Sequence, residues 1–330
     1  MDVGHHSVSR AGALLQTLAR RPGSMVDGRS IAVVVAHPDD ETIGCGAMLR
    51  RMRGVHVALM TNGAPSRPQF WQPKGFASAE AYTSARWQGL ERALSMADVL
   101  PAQIASFGAI DQEASFSLFA LTQRLKSWLI ERRIEIILTH AYEGGHPDHD
   151  AAAFAVHAAA QLIQRESGRK LTIVEMPFYR MGWLGPVVQD FESGVGGEIF
   201  DVKLQDEAVE LKRCMYAAHE SQTETLKRFG TDTERFRVAP NYDFCELPNG
   251  GEILYDSRNW TIKSREWLQL SRSALHDLGL RHLAPLLTWE NFLWPRTPPQ
   301  WAGARNFVFA RPSKSTFQER VRAGRWTFLH

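Results

Sequence analysis

A chain of 330 residues is long for one domain but within reach of one α/β domain with insertions, and 44% hydrophobic and 22% charged residues are typical of a globular protein. A formal net charge of +2 disfavours nucleic acid and anionic membrane surfaces as partners. The three cysteines are widely spaced and form no CxxC pair. This spacing argues against a disulfide framework and a thiolate zinc site, and it favours a reducing, cytoplasmic location.

Residues 1–28 are predicted to form an N-terminal arm that contains a short amphipathic helix. The apolar part of the arm is interrupted by Gln16 and Thr17 and is too short to span a membrane. It also lacks the longer apolar centre and the small-residue cleavage site of a signal peptide. His5 and His6 are interpreted as residues of a frayed terminus.

The run of residues 31–36 (IAVVVA) is typical of a strand that is buried on both faces. Pro38 cannot continue a central strand, so the chain must leave the sheet there. The loop that follows lies at the carboxyl end of the strand, where open α/β sheets bind their ligands. It holds one histidine and three acids: His37, Asp39, Asp40 and Glu41. Capping of the next helix accounts for one of these acids but not for the whole set.

Helices and strands alternate after this loop. The pattern predicts helices at 44–53, 79–97, 115–133 and 151–163 and strands at 55–60, 104–108, 135–139 and 170–177, with Ser78 as a helix N-cap. Alternation of this kind argues for βαβ units and therefore for an α/β fold with a Rossmann-like, mostly parallel sheet flanked by helices. Right-handed crossovers bring successive strand ends to one edge of such a sheet.

The strand at 135–139 leads into a second polar loop, residues 140–150 (HAYEGGHPDHD). His146 and His149 are three positions apart and straddle Pro147, so they can converge on one point at a loop-to-helix junction. Two such loops at one sheet edge indicate a shared metal or catalytic site.

Catalytic zinc chemistry fits this set of side chains. It needs three protein ligands, an open position for a water whose pKa falls to near 7, a free carboxylate as base and an imidazole near the oxyanion or the leaving amine. The candidates are His37, Asp39, Asp40, His146, Asp148 and His149. Spacing alone leaves open which residue takes which role.

The last third of the chain is harder to interpret. A helix is predicted from about Leu204 to 219, a hairpin at 244–256 and a helix at 260–278. Beyond them lies an aromatic-rich tail with Trp289, Phe292, Trp294, Trp301 and Trp326. Such residues can stack on sugars or lipids, but we favour a latch packed on the domain. Residues 226–330 are thus predicted to be a C-terminal elaboration of the same domain.

The sequence AHPDDE at 36–41 with Gly44, followed by HPDH at 146–149, resembles the PIG-L / LmbE-like family of zinc-dependent N-deacetylases. The resemblance covers roughly residues 29–225 and implies a deacetylase core there. It implies removal of the N-acetyl group from an N-acetylated amino sugar or its conjugate, with one Zn²⁺, or another divalent ion, per chain.

The resemblance also implies individual roles. It implies that the metal ligands are His37, Asp40 and His149. Asp39 would be the general base for a metal-bound water. His146 would stabilise the oxyanion or serve as the acid, and Asp148 would tune its orientation and charge.

Weaker matches concern substrate contacts. Arg86, Asp111 and His219 resemble substrate-binding positions of the family, but a solvated helix face, a plain turn and a helix terminus explain them as well. His140 and Tyr142 are further candidates for the pocket wall. Mycothiol-type members carry a tyrosine where this chain has Gly144.

Two other classes of function remain open. A metal-dependent phosphoesterase would use a similar site, often with two metals. A non-catalytic sugar-binding protein that keeps zinc for structure would need a closed shell of four protein ligands. The expected partner is a small N-acetyl amino sugar or a glycoconjugate. An oligomer remains possible.

Overall fold

A seven-stranded mixed sheet dominates the residues that this computed structural model describes, which are 10–21 and 23–280. The predictions about the frayed terminus at His5 and His6 and about the latch lie outside the described residues. Among the described helices, none has both the length and the apolar composition that a membrane span requires.

The described residues form the following elements. The helices are α1 Arg10–Arg20, α2 Asp40–Leu49, α3 Ala79–Met96, α4 Leu118–Glu131, α5 Pro147–Ser167, α6 Asp206–Ala218, α7 Thr223–Leu226 and α8 Ser264–Asp277. The strands are β1 Val26–Asp27, β2 Ile31–Val35, β3 Met52–Arg53, β4 His56–Pro65, β5 Ile104–Asp111, β6 Ile136–His140, β7 Thr172–Met176, β8 Tyr179–Gly182, β9 Gly185–Val188, β10 Ile199–Lys203 and β11 Thr233–Val238.

The sheet runs in the order β10-β11-β7-β6-β2-β4-β5. Strand β2 pairs in parallel with β4 on one side and with β6 on the other, and β4–β5 and β6–β7 are also parallel. Strands β11 and β10 add to the β7 edge in antiparallel orientation. The predicted α/β architecture with a mostly parallel sheet is confirmed.

Alternation along β2 divides the core into two layers. Ile31, Val33 and Val35 face the cluster built with α1, α2, α3 and α6. Ala32 and Val34 face the cluster built with α4, α5 and α8. Because both faces of the strand are covered, it needs no polar residue, which explains its continuous apolar run.

The strand order reverses between β2 and β6. The chain first moves from β2 to β4 and β5 on one side, and then returns to place β6 and β7 on the other side. Ligands of open α/β sheets bind at such a switch point, beyond the carboxyl ends of the two strands. The two polar loops follow these two strands.

The predicted elements differ from the structure mainly at their ends and near the sheet edge. Helices α2 and α5 begin four residues earlier than predicted, inside the polar motifs. The hairpin predicted at 244–256 is wrong, because that segment forms only short 3-10 turns. Strands β10 and β11 were not predicted, and in β10 alternate residues are exposed, so it lacks the apolar run of a central strand.

A break in α2 is held from outside the helix. Cys45 has non-helical backbone angles, and the carboxylate of Glu234 accepts hydrogen bonds from the amides of Ala47 and Met48. Lys212 donates to the carbonyl of Ile43 and forms a fully buried ion pair with Glu234 at 2.9 Å. The ion pair therefore satisfies backbone groups that the break leaves without helical partners.

Candidate active site

The two polar loops meet beyond the carboxyl ends of β2 and β6. The Asp40 carboxylate lies 3.2 Å from Nδ1 of His37 and 3.4 Å from Nε2 of His149. All three side chains are buried. The three residues that the sequence suggests as metal ligands are therefore brought together, with Asp40 between the two imidazoles.

Three groups of side chains in the described residues have ligand atoms within 4.8 Å of one another. They are His37, His146 and His149; Asp40, His140 and His149; and His37, Asp111, His146 and Asp148. The predicted triple is not itself one of these groups, but each of its members belongs to at least one. Imidazole and carboxylate donors without cysteine suit a catalytic divalent ion, and the residues present therefore fit one.

His140 lies beneath this cluster. Its ring stacks on that of His149 with centroids 4.0 Å apart, and its Nε2 accepts a hydrogen bond from the amide of Ala36. The ring nitrogen thus accepts the backbone amide that follows the last paired residues of β2 and β6. His140 is fully buried and Tyr142 packs against Trp267, so neither residue lines the cavity as the sequence suggested.

Asp148 contacts a different histidine from the one predicted. One of its oxygens lies 3.0 Å from Nε2 of His37, whereas Nδ1 of His146 is 4.0 Å away. The carboxylate also accepts hydrogen bonds from the amides of Gln112 and Ala114. The helix start directs Asp148 across to the first loop, where it orients His37 in the way that carboxylates orient metal-binding histidines.

His146 caps α5. Its Nδ1 accepts a hydrogen bond from the amide of Asp148, so in the neutral ring the proton is on Nε2. Burial, followed by the nearby charge of His37, lowers the pKa of His146 to about 3. The indole of Trp260 packs on this ring with centroids 4.4 Å apart.

Asp39 has a strained backbone. Its φ of 147° is unusual for a residue other than glycine, and its amide donates to the carboxylate of Glu41. Its side chain makes no capping hydrogen bond to α2 and instead pairs with Arg86 at 2.9 Å. Burial raises the pKa of Asp39 to about 6, although Arg86 opposes this shift.

Burial acts on Asp40 as it does on Asp39, but the outcome is opposite. Desolvation disfavours its charged form, yet His149, His37 and His140 together hold the pKa of Asp40 well below its usual range. The pKa values of the adjacent carboxylates therefore differ, because three imidazoles outweigh burial at Asp40 whereas Arg86 does not outweigh it at Asp39.

Arg86 is buried, so the interpretation as a solvated helix face is wrong. Its guanidinium donates to the carbonyls of Pro38 and Gly63 and lies 3.3 Å from the carboxylate of Asp111. Arg86 and Asp111 both line the cavity, and Arg86 also fixes the loop that carries Asp39.

His219 lies behind the first loop. Its Nε2 is 3.1 Å from the hydroxyl of Thr42 and 3.5 Å from the carboxylate of Glu41. It does not line the cavity, whereas Gln222, three residues later, does. His219, which the sequence suggests as a substrate contact, therefore lies behind the residues that form the cavity wall.

A cavity of about 210 Å³ opens over the two loops. Its wall includes Phe70, Tyr179 and Trp260, which the sequence analysis did not assign to the site. Tyr179 follows β7 and so lies at the same sheet edge as the motifs. Its position just after a predicted strand could therefore have identified it from the sequence. Trp260 lies in an irregular segment and carried no such signal.

The part of the chain that contains both motifs is similar to a known protein family. Residues 32–160, which contain both motifs, match the family model described as PIG-L, GlcNAc-PI de-N-acetylase. Through this segment the chain is similar to the PIG-L/LmbE-like deacetylase family. PIG-L enzymes are metal-dependent deacetylases. Among curated proteins the sequence finds no match.

Solved structures agree with the fold. The A40926 pseudoaglycone deacetylase Dbv21 is 18% identical with a TM-score of 0.51, and the match covers 66% of this chain and 99% of that one. The zinc-inhibited form of teicoplanin deacetylase Orf2 is 15% identical with a TM-score of 0.49, and coverage is 64% and 98%. N,N'-diacetylchitobiose deacetylase from Pyrococcus horikoshii is 17% identical with a TM-score of 0.47, and coverage is 70% and 93%. At 18% identity the first of these structures shows only that its α/β fold is shared with this chain.

Proposed function

We propose that the protein is a metal-dependent hydrolase that removes the N-acetyl group from an N-acetylated amino sugar or its conjugate. The observation that carries the proposal is the different placement of two neighbouring acids. Both acids line the cavity, but Asp40 belongs to a group of side chains able to hold a metal, whereas Asp39 belongs to none of the three found in the described residues.

His37, Asp40 and His149 would hold the ion, and we propose Zn²⁺ because two imidazoles and a carboxylate are among its usual ligands. When bound, the ion supplies a Lewis acid for the amide carbonyl and lowers the pKa of water. One ion per chain is favoured, because both oxygens of Asp148 in the neighbouring group already accept backbone amide hydrogen bonds. This argues against a two-metal phosphoesterase.

Asp39 would take a proton from the attacking water and return it to the leaving amine. Arg86 would hold the Asp39 carboxylate in place through the 2.9 Å ion pair. Nε2–H of His146 would donate to the carbonyl oxygen as negative charge develops there. His146 serves better as this neutral donor than as an acid, since a proton on Nδ1 would oppose the amide of Asp148.

The substrate class is proposed from two observations. The PIG-L model takes its description from de-N-acetylation of an N-acetylglucosamine conjugate. The cavity of about 210 Å³ is smaller than the pockets of about 300–1,000 Å³ that enclose whole drug-sized ligands. We therefore expect the N-acetyl group and its sugar ring to enter, while the rest of a conjugate stays outside.

The test is incubation of the zinc-loaded protein with a panel of N-acetylated amino sugars and their glycosides. We expect acetate and a primary amine to form in equal amounts, and both to disappear when Asp39→Asn replaces the wild type. Zinc bound without acetate release across the panel would favour the sugar-binding alternative. Release of phosphate from sugar phosphates instead would favour the phosphoesterase.

A further inference from the structure

Tyr179 occupies the wall of the cavity next to the candidate metal ligands. It is the first residue of β8, and its ring lies against that of His149 with centroids 5.3 Å apart and planes tilted by 54°. The side chain is only partly exposed. Its hydroxyl group makes no hydrogen bond to another described residue, which leaves its proton available to a ligand.

The second polar loop fixes the backbone of Tyr179. One carboxylate oxygen of Glu143 accepts hydrogen bonds from the amides of Phe178 at 2.9 Å and of Tyr179 at 3.0 Å. Gly145 packs directly on the other side, since a Cβ added there would lie 1.8 Å from the carbonyl oxygen of Tyr179. The position of the tyrosine is therefore set by the same loop that carries His146 and His149.

Position 144 favours glycine. Gly144 has a φ of 68°, and a Cβ added there would lie 2.6 Å from Cδ1 of Ile253. The phenol beside His149 comes from a different part of the chain, the first residue of β8.

We propose that Tyr179 is a catalytic residue whose hydroxyl group donates a hydrogen bond to the carbonyl oxygen of the N-acetyl group. This rests on the proposed deacetylase function. The contact with His149 places the phenol beside the reacting group rather than at the cavity rim. Together with Nε2–H of His146, it gives the developing oxyanion a second donor.

Tyr179→Phe tests the assignment, because it removes the hydroxyl group and keeps the ring against His149. Loss of one oxyanion donor typically lowers kcat by about 10²–10³-fold, and we expect this with little change in KM. Tyr216→Phe is the matched control, since the phenol of Tyr216 donates to the carbonyl of Gly230 outside the cavity. A kcat within twofold of wild type, or a loss confined to KM, would overturn the proposal.

A binding measurement separates this proposal from the proposed function. The probe is glucosamine with a methylphosphonamidate in place of the acetamide, which mimics the tetrahedral transition state. Calorimetry should show binding weakened at least tenfold in Tyr179→Phe and unchanged in Tyr216→Phe. Equal affinities, or no binding to either, contradict the role of Tyr179. An affinity difference without any wild-type turnover contradicts only the deacetylase function.

Discussion

The two polar loops both contribute side chains to the cavity, but their backbones differ. The first loop follows β2, contains no glycine and holds Asp39 at a strained φ of 147°. The second loop follows β6, places glycines at 144 and 145 and starts α5 with His146 as its cap. In the first loop Asp39 and Asp40 line the cavity, whereas in the second loop the acids hold backbone amides and the cavity is lined by His146 and His149.

The difference lies in how each loop is supported. Glu41 accepts one amide hydrogen bond in the first loop, and Arg86 supports the same loop from α3. Asp150 accepts two amide hydrogen bonds in the second loop, and no lysine or arginine among the described residues pairs with its carboxylate. An acid-rich motif therefore contains carboxylates that hold the backbone and carboxylates that line the cavity, and Asp40 does both.

The largest effect is expected on turnover and metal content, which Asp39→Ala and His149→Ala should change in different ways. Asp39→Ala should lower kcat by about 10²–10⁴-fold, as loss of a general base does, while metal remains bound. His149→Ala should instead remove the metal. Elemental analysis of both purified variants, with kinetics on the N-acetyl sugar that the wild type cleaves, checks this. A loss of metal in Asp39→Ala would contradict the division of roles.

Gly145→Ala should break the second loop. The added Cβ would lie 1.8 Å from a backbone oxygen of Tyr179, so the chain must shift, at a cost of about 3 kcal/mol. Chemical denaturation measures the free energy of unfolding. Gly197→Ala is the control, because an added Cβ there meets nothing within 4 Å. Equal stability of the two variants would show that the contact with Tyr179 does not constrain the loop.

Asp150→Ala compares the supports of the two loops directly. It leaves two buried amides without an acceptor, which should lower the free energy of unfolding by about 2–3 kcal/mol. Glu41→Ala removes the acceptor of the Asp39 amide and of the Thr42 hydroxyl, but this hydroxyl lies 3.1 Å from Nε2 of His219 and keeps a partner there, so the change should cost less. Asp150→Asn keeps an acceptor oxygen and should recover most of the stability. If Glu41→Ala proved the more damaging, the first loop would be the one that depends on its acid.

Glu175 on β7 provides a reference carboxylate outside both loops. Burial raises its pKa to about 6, although Arg237 opposes this from 2.8 Å. The proton is bound more tightly in the folded state, so the stabilisation is complete below the unfolded pKa of about 4.5 and is lost as pH rises through 6. Relative to Glu175→Gln, wild type should lose about 2 kcal/mol between pH 4 and pH 7. Parallel denaturation curves across this range would contradict the shift.

The sequence was most informative where structure is local. The run at 31–36 is apolar because both faces of β2 are buried, and the strand–helix alternation follows from the parallel sheet. The convergence of the two motifs followed from strand order alone. The division between Asp39 and Asp40 did not, since it depends on which imidazoles and which guanidinium lie nearby.

The remaining errors have one physical cause, which is contact between distant segments. Asp148 is close to His146 in sequence but reaches His37, because the first turn of α5 turns it toward β2. His219 ends a helix as predicted, yet it packs on Thr42. Such pairings depend on tertiary packing, which sequence spacing does not encode.

The clamp on the break in α2 limits how far the molecule can be shortened. Lys212 and Glu234 lie beyond residue 160, where the PIG-L match ends, yet they bond the helix that follows the first motif. A fragment ending near 160 would lose these partners and would expose the apolar face of α2 that α6 covers, at a cost that a small, marginally stable domain cannot easily offset. Grafting the motifs onto another scaffold would require this distant clamp to be carried with them.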